Sequence, residues 1–453
     1  MDIIKYNKRL VDEADVKIVN EKEEDWTQSD SVILNDNHIK TLWFSRAPGS
    51  GAPASVLAGA IQGVKNLGYK VSEAEKIFFN YKDSKDVSLL AENLSYIFYL
   101  LNNAEKDESS KYWNYAIYDS FEKYLGALPK DLPEGEPPND LEERIFYGWV
   151  GQIAAGSLGT ALEGYGREKI NQKFEVIDDY LKPISTYNDD LTFQIALMSA
   201  IEESGKTVNS IDIAKKWVKL IPFAWSAEDI ALKNLRLGIY PPESGFRSNP
   251  YKEWIGAQMR GSICGMLYPA KPLKAAKLAF LDGQISHFNN GVLGEVFNAV
   301  MTSIAFYAKD VDQIIKQSFQ YIPKDSLYYE VITKSYRITK ESSNYMQALE
   351  KLEEEFYQYN LVHAFPNIAI EIASMIYGKG DYSKTLDLLV RAGLDVDCNA
   401  AQVGNILGVL NANVEKRWVE PLNKSFKTYL RKYKEISLRE VSDWTVRLIK
   451  KLR

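Results

Sequence analysis

The sequence predicts a helical protein, and three observations carry that prediction. Leu191, Ile195, Met198 and Ile201 recur near a 3.6-residue period. Ala400, Gly404 and Gly408 recur every fourth position, which on a helix makes a stripe with almost no side chain that another helix can approach closely. Upstream, Leu57, Ile61, Val64 and Leu67, then Leu89, Leu94, Ile97 and Leu100, mark two further helical segments.

With 453 residues, the chain has room for two or three domains, or for one large domain with an extension. Its hydrophobic fraction of 45% and charged fraction of 26% are ordinary for a globular protein. A net charge of −6, with Lys and Arg scattered among acids, offers no basic stripe, so nucleic acid is not an expected partner. Two cysteines, Cys264 and Cys398, cannot build a disulfide framework, and no secretory pattern opens the chain; a cytoplasmic location is expected. The most apolar runs, 95–101 and 368–377, fall short of the ~20 residues that a membrane span needs. Only three histidines occur, which argues against a histidine-rich zinc site and leaves oxygen as the expected ligand of any metal.

In chain order, residues 1–40 are charged and lack clear periodicity, with short strands expected at 31–34 and 41–44. Ala47-Pro48-Gly49-Ser50-Gly51-Ala52-Pro53 breaks any regular element. It invites comparison with a phosphate loop but lacks the Gly-Lys-Ser/Thr ending that supplies an ammonium and a metal-binding hydroxyl. From 55 to 124 the pattern is mainly helical, with Trp113, Tyr115, Tyr118, Phe121 and Tyr124 read as core. The Pro- and Glu-rich run 128–140 reads as a linker, dividing a 1–127 region of unknown role from a 141–453 domain. Gly148, Gly151, Gly156 and Gly159 then suggest close helix packing before Glu163. The turn-rich stretch 238–250 reads as a long binding loop, whose Phe246, or the nearby Tyr251 and Trp254, either stack on a ligand or pack as core.

Two acidic doublets stand out. Asn188-Asp189-Asp190 precedes the periodic segment 191–203, and Asp395 and Asp397 follow Gly393 and precede the small-residue stripe. At a helix start, unpaired N–H groups and the positive dipole end favour anions, so each Asp can be a simple cap. Four carboxylates brought together would instead repel unless a cation sat between them, and Mg²⁺ takes oxygen ligands of this kind.

This set resembles the ADP-ribosylglycohydrolase family, whose members carry Thr-Asp-Asp-Thr and later Gly-x-Asp-x-Asp-Thr segments that bind two Mg²⁺ ions in an all-helical domain; the likeness runs over about residues 141–450. The resemblance implies an all-α, ADP-ribosylglycohydrolase-like helical bundle with an N-terminal, mainly helical extension. It implies a hydrolase that cleaves a glycosidic ADP-ribosyl linkage, on an ADP-ribosylated protein or a small ADP-ribose derivative. Another ribosyl or nucleoside substrate, or a non-catalytic binding role, are the alternatives.

Carried over by position, the metal ligands are Asn188, Asp189, Asp190, Asp395, Asp397 and Cys398, holding two Mg²⁺ ions with Mn²⁺ as the alternative. Glu163, Asp190 and Asp397 are the implied catalytic residues, and Ser244, Gly245, Asn249 and His287 the implied substrate contacts. The sequence departs from the family at Gly156, where the family has Asp, at Leu191, where the hydroxyl arrives one residue late at Thr192, and at Cys398, where it has Thr or Ser. A thiol is a soft ligand and matches Mg²⁺ poorly.

Overall fold

The two helices that the small residues anticipate form the spine of the molecule. In the computed structural model, which describes residues 2–20 and 36–452, helix Leu141–Gly159 packs along helix Val396–Asn411. Their backbones nearly touch: a Cβ added to Gly404 would lie 2.4 Å from the Gly151 carbonyl oxygen, and one on Gly408 2.1 Å from that of Tyr147. Only glycine permits that approach. Both helices are buried on most faces, which is why their sequences show little amphipathic pattern.

Around this pair lie Asp189–Ser204, Pro272–Gly283, Asn290–Ala305, Ala364–Gly378 and Leu438–Leu452. Their ends are set by local chemistry. Asp310, Ser326, Asn344 and Asp381 each accept a backbone N–H three residues on, capping the helices that follow. Pro272 opens its helix, where its missing N–H costs nothing. The fold is all-α. Among the described residues the one sheet is an antiparallel pair, Ser425–Lys427 with Glu435–Ser437. No described helix is long and apolar enough to cross a membrane.

Described residues among the first hundred build a second core, in which Ile3, Trp43, Leu57, Ile61, Phe78 and Ile97 pack together with Tyr251 and Trp254 from later in the chain. Here the strand expected at 41–44 is corrected: Asp36–Trp43 is a helix. Ile39 and Trp43 lie four residues apart and so reach the same core, where Trp43 stacks on Phe78 at 5.4 Å. The strand expected at 31–34 lies outside the described residues. Tyr118 and Tyr124 belong to the larger core, and the 128–140 stretch lies against it, with Gly135 N donating to Ala270 O and Tyr321 Oη to Pro133 O.

Candidate active site

Three segments meet at one point. Helix Leu141–Gly159 ends in a turn that carries Glu163, and Gly164, at φ +79°, donates to the Leu394 carbonyl. That bond and the Gly166–Gly393 bridge tie the turn to the start of the second acidic segment. Gly393 is required there: φ is +78°, and a Cβ would lie 2.7 Å from Tyr165 O. Asn367 fixes the other side, its Oδ1 accepting from Asp395 N and Asn399 Nδ2.

Asp189 and Asp190 open helix Asp189–Ser204, and Asp397 lies in the first turn of Val396–Asn411 after Asp395. Asn188, at the cap position of the first helix, makes no side-chain cap bond, and backbone N–H groups at the two helix starts meet only some of the carboxylate oxygens. Ligand atoms of Asp189, Asp190 and Cys398 lie within 4.8 Å of one another, as do those of Asp395, Asp397 and Cys398. Residues some 200 apart in sequence thus share one site.

The electrostatics are those of a buried acid cluster, offset only in part by Lys182 at Glu163 and Arg260 at Asp189. Asp190 Oδ1 and Oδ2, Asp395 Oδ1, Asp397 Oδ1 and Glu163 Oε2 are buried and have no hydrogen-bond partner. Such atoms are costly to bury unpaired. Burial, reinforced by the neighbouring carboxylates, pushes Glu163, Asp190 and Asp397 well above the usual carboxylate range. Burial and Asp397 raise Asp189 to about 7. A divalent cation would relieve both defects, so the carboxylates fit an oxygen-bound metal. Cys398 Sγ is common to both groups but, as a soft thiol 3.7 Å from Met259 Sδ, is a poor match for a hard cation.

Asn188 stands apart from the open cleft. Its amide lines a small void with Gly156, Asp190 and Ala401, and both its side-chain polar atoms lack partners. At Gly156, where the family has Asp, a Cβ would meet Ala401 Cβ at 3.3 Å, tight by a few tenths of an ångström. Thr192 Oγ1 bonds to Asn188 O, so the late hydroxyl is engaged locally.

The cleft above the carboxylates has a volume of about 170 Å³ and is walled by Trp254, Met259, Trp225 and Glu228 together with residues 45–48 and 52–56. The loop 241–249 does not border it, which corrects the expectation for Ser244, Gly245 and Asn249. Ser244 Oγ bonds to Ile285 O, and Asn249 Nδ2 to the carbonyls of Ala227, Gly245 and Ser286. Gly245 lies so close to the His287 backbone that a Cβ would sit 2.6 Å from its carbonyl oxygen. These residues hold a short helix, Glu243–Phe246, against the core. His287 is corrected too: it is fully buried, its Nδ1 2.7 Å from Ser286 Oγ, and burial and Arg260 drive its pKa well down.

Sequence reasoning missed Glu228 and the residue that holds it. Arg260, buried to 1% exposure, donates to Glu228 Oε1 at 3.0 Å and to Asp282 Oδ2 at 2.5 Å, and lies over Phe193 and Trp217. Burial, partly offset by Arg260, raises Glu228 to about 7. Gly256 makes room for it, because a Cβ there would lie 1.9 Å from Glu228 Oε1. The partners are 22 to 32 residues apart, and no local pattern joins them.

Comparison with known proteins follows the same line. A family model described as ADP-ribosylglycohydrolase matches residues 137–449. A solved structure described as an ADP-ribosylglycohydrolase-related protein complex superposes with a TM-score of 0.51 at 15% identity, covering 70% of this chain and 100% of that one. At that identity the likeness concerns the fold. A search of curated protein sequences finds no match.

Proposed function

The chain belongs to the ADP-ribosylglycohydrolase family, a family of glycosidases, and from that premise we propose that it hydrolyses an ADP-ribosyl linkage in a divalent-metal-dependent reaction. The observation that carries the reading is the convergence of two helix starts, whose carboxylates include the buried, unpartnered oxygens of Asp190, Asp395 and Asp397, beside a cleft lined by Asp189, Asp395 and Asp397. In this reading Asp189, Asp190, Asp395 and Asp397 hold the metal, Mg²⁺ by preference and Mn²⁺ as the alternative. When bound, such ions supply positive charge for the oxygens of substrate and transition state and a more acidic water. Asn188, whose amide oxygen lacks a partner, is a further candidate ligand, and Cys398, common to both groups, is the soft member of the set.

Glu163 orders the attacking water and the distal ribose. Its buried Oε2 has no protein partner, and its raised pKa suits proton transfer to or from the reacting groups. Glycosidic cleavage passes through an oxocarbenium-like state, and the acidic floor stabilises the positive charge that develops at C1 of the ribose. The acceptor, a protein side chain or a small molecule, leaves through the open end of the cleft.

The test is release of ADP-ribose from ADP-ribosylated protein by wild type and Glu163→Gln. The variant is expected to turn over about 100-fold more slowly while retaining metal binding. Wild-type protein that binds ADP-ribose yet releases none from any ribosylated substrate would favour a binding role instead.

A further inference from the structure

The Gly- and Pro-rich stretch 47–53 has no place in the family-like domain, yet it forms one wall of the cleft. It is bolted to the catalytic turn: Ser50 Oγ donates to Glu163 O at 2.6 Å, Tyr165 Oη to Ser50 O, and Lys182 Nζ to Gly49 O at 2.8 Å. Three of its N–H groups are engaged, Ala47 with Ala52 O, Gly51 with Ala47 O, and Ala52 with Ser50 Oγ. The residue just before it, Arg46, brings a charge to the cleft wall.

Among the described residues that line the cleft, Arg46 is the one cation, set against the five acids Glu163, Asp189, Glu228, Asp395 and Asp397. Its backbone is fixed by the bridge to Pro53, with Ala47 N and Ala54 N bonded across the turn, while its side chain is exposed. Among the described residues the guanidinium makes one hydrogen bond, Nη1 to Gly51 O at 3.3 Å, out of five donors. Among the same residues it has no paired carboxylate, unlike Arg144, Arg167, Arg260 and Arg391. A metal held by the floor carboxylates would be engaged there, so a diphosphate needs a cation of its own, and Arg46 is the one the described lining supplies. We propose that Arg46, supplied by the N-terminal region, binds the diphosphate of the substrate and makes this cleft selective for phosphorylated ribosyl groups over bare ribosides. The proposal rests on the glycohydrolase reading and assigns a residue outside the matched domain to its substrate's diphosphate. It also gives the N-terminal region a role in substrate recognition.

The experiment is calorimetric titration of the full chain, in Mg²⁺ buffer, with ADP-ribose over a range of KCl concentrations. Arg46→Gln is expected to bind ADP-ribose at least about tenfold more weakly, as loss of a charge-assisted contact to an exposed diphosphate implies. Its affinity should also depend less steeply on KCl, with thermal stability unchanged. Arg46→Lys should keep the salt dependence of wild type. An Arg46→Gln affinity within twofold of wild type, or an unchanged salt slope, overturns the assignment while leaving the glycohydrolase reading intact. Wild type that binds no ADP-ribose overturns both.

Discussion

Gly404→Ala adds one methyl group at the crossing of the two spine helices, and its effect can be worked from the backbone. The new Cβ would lie 2.4 Å from Gly151 O and 2.6 Å from Ala155 Cβ, about 1 Å short of ordinary contact. Both atoms belong to a helix that is buried on most faces, so neither side chain nor backbone can yield cheaply. Overpacking of this kind costs about 1–3 kcal/mol, offset by roughly 0.5–1 kcal/mol from the better helix propensity of Ala. The net loss should be about 1–2 kcal/mol by urea denaturation. The functional effect should be larger than the stability effect suggests. Asp397 sits two turns upstream on the same helix, and Gly159, on the partner helix, is packed so closely that its Cβ would lie 2.5 Å from Asp397 Cα. Prying the helices apart by up to 1 Å therefore shifts one acidic doublet against the other, and a displacement of that size can cost about 100-fold in rate. The assay is ADP-ribose release at saturating Mg²⁺. Gly126→Ala is the control, since nothing lies within 4 Å of its added Cβ. Gly404→Ala with wild-type stability and wild-type turnover would refute the claim that backbone contact between these helices sets the site.

Arg260→Met should lose about 3–5 kcal/mol of stability by urea denaturation, because Glu228, Asp282 and Glu295 are left buried without their cation; a loss under about 1 kcal/mol would mean that the cluster is not held by this residue. His363 caps helix Ala364–Gly378 through Nδ1, and burial lowers its pKa to about 3. A depressed histidine pKa stabilises the fold above the unfolded value of ~6.5, and that stability is lost as pH falls toward 3. The stability advantage of wild type over His363→Asn, which keeps a capping oxygen, should thus shrink by about 3 kcal/mol between pH 7 and pH 4.5; a pH-independent difference would show that this imidazole is not held neutral.

Much of the fold was legible because its signals are local. The 3.6-residue period at 191–201 and the four-residue spacing of Ala400, Gly404 and Gly408 each report one helix face, and both helices form. The acidic doublets were legible as a pair for a physical reason: capping needs one acceptor, and a second carboxylate beside it asks for a cation. Convergence of the two could be proposed only through the family resemblance, since nothing within either motif encodes the other. The loop 241–249 misled because a Ser-, Asn- and Gly-rich turn satisfies buried carbonyls as readily as it binds a ligand, and only the positions of Ile285 and Ser286 decide which. The wall 45–56 was unreadable for the same reason in reverse: it has no periodicity, and its partners Glu163 and Lys182 are more than 100 residues away. The hairpin 425–437 escaped because three-residue strands are too short to show alternation.

The central claim is that the two acidic doublets together form a divalent-cation site on which hydrolysis depends. The direct measurement is calorimetric titration of Mg²⁺ into EDTA-stripped wild type and Asp397→Asn, with ADP-ribose release followed in the same samples. Saturable binding by wild type should be accompanied by recovery of turnover, whereas Asp397→Asn should bind at least about tenfold more weakly and fail to recover. Full turnover by wild type in EDTA, or unaltered Mg²⁺ affinity in Asp397→Asn, would contradict it.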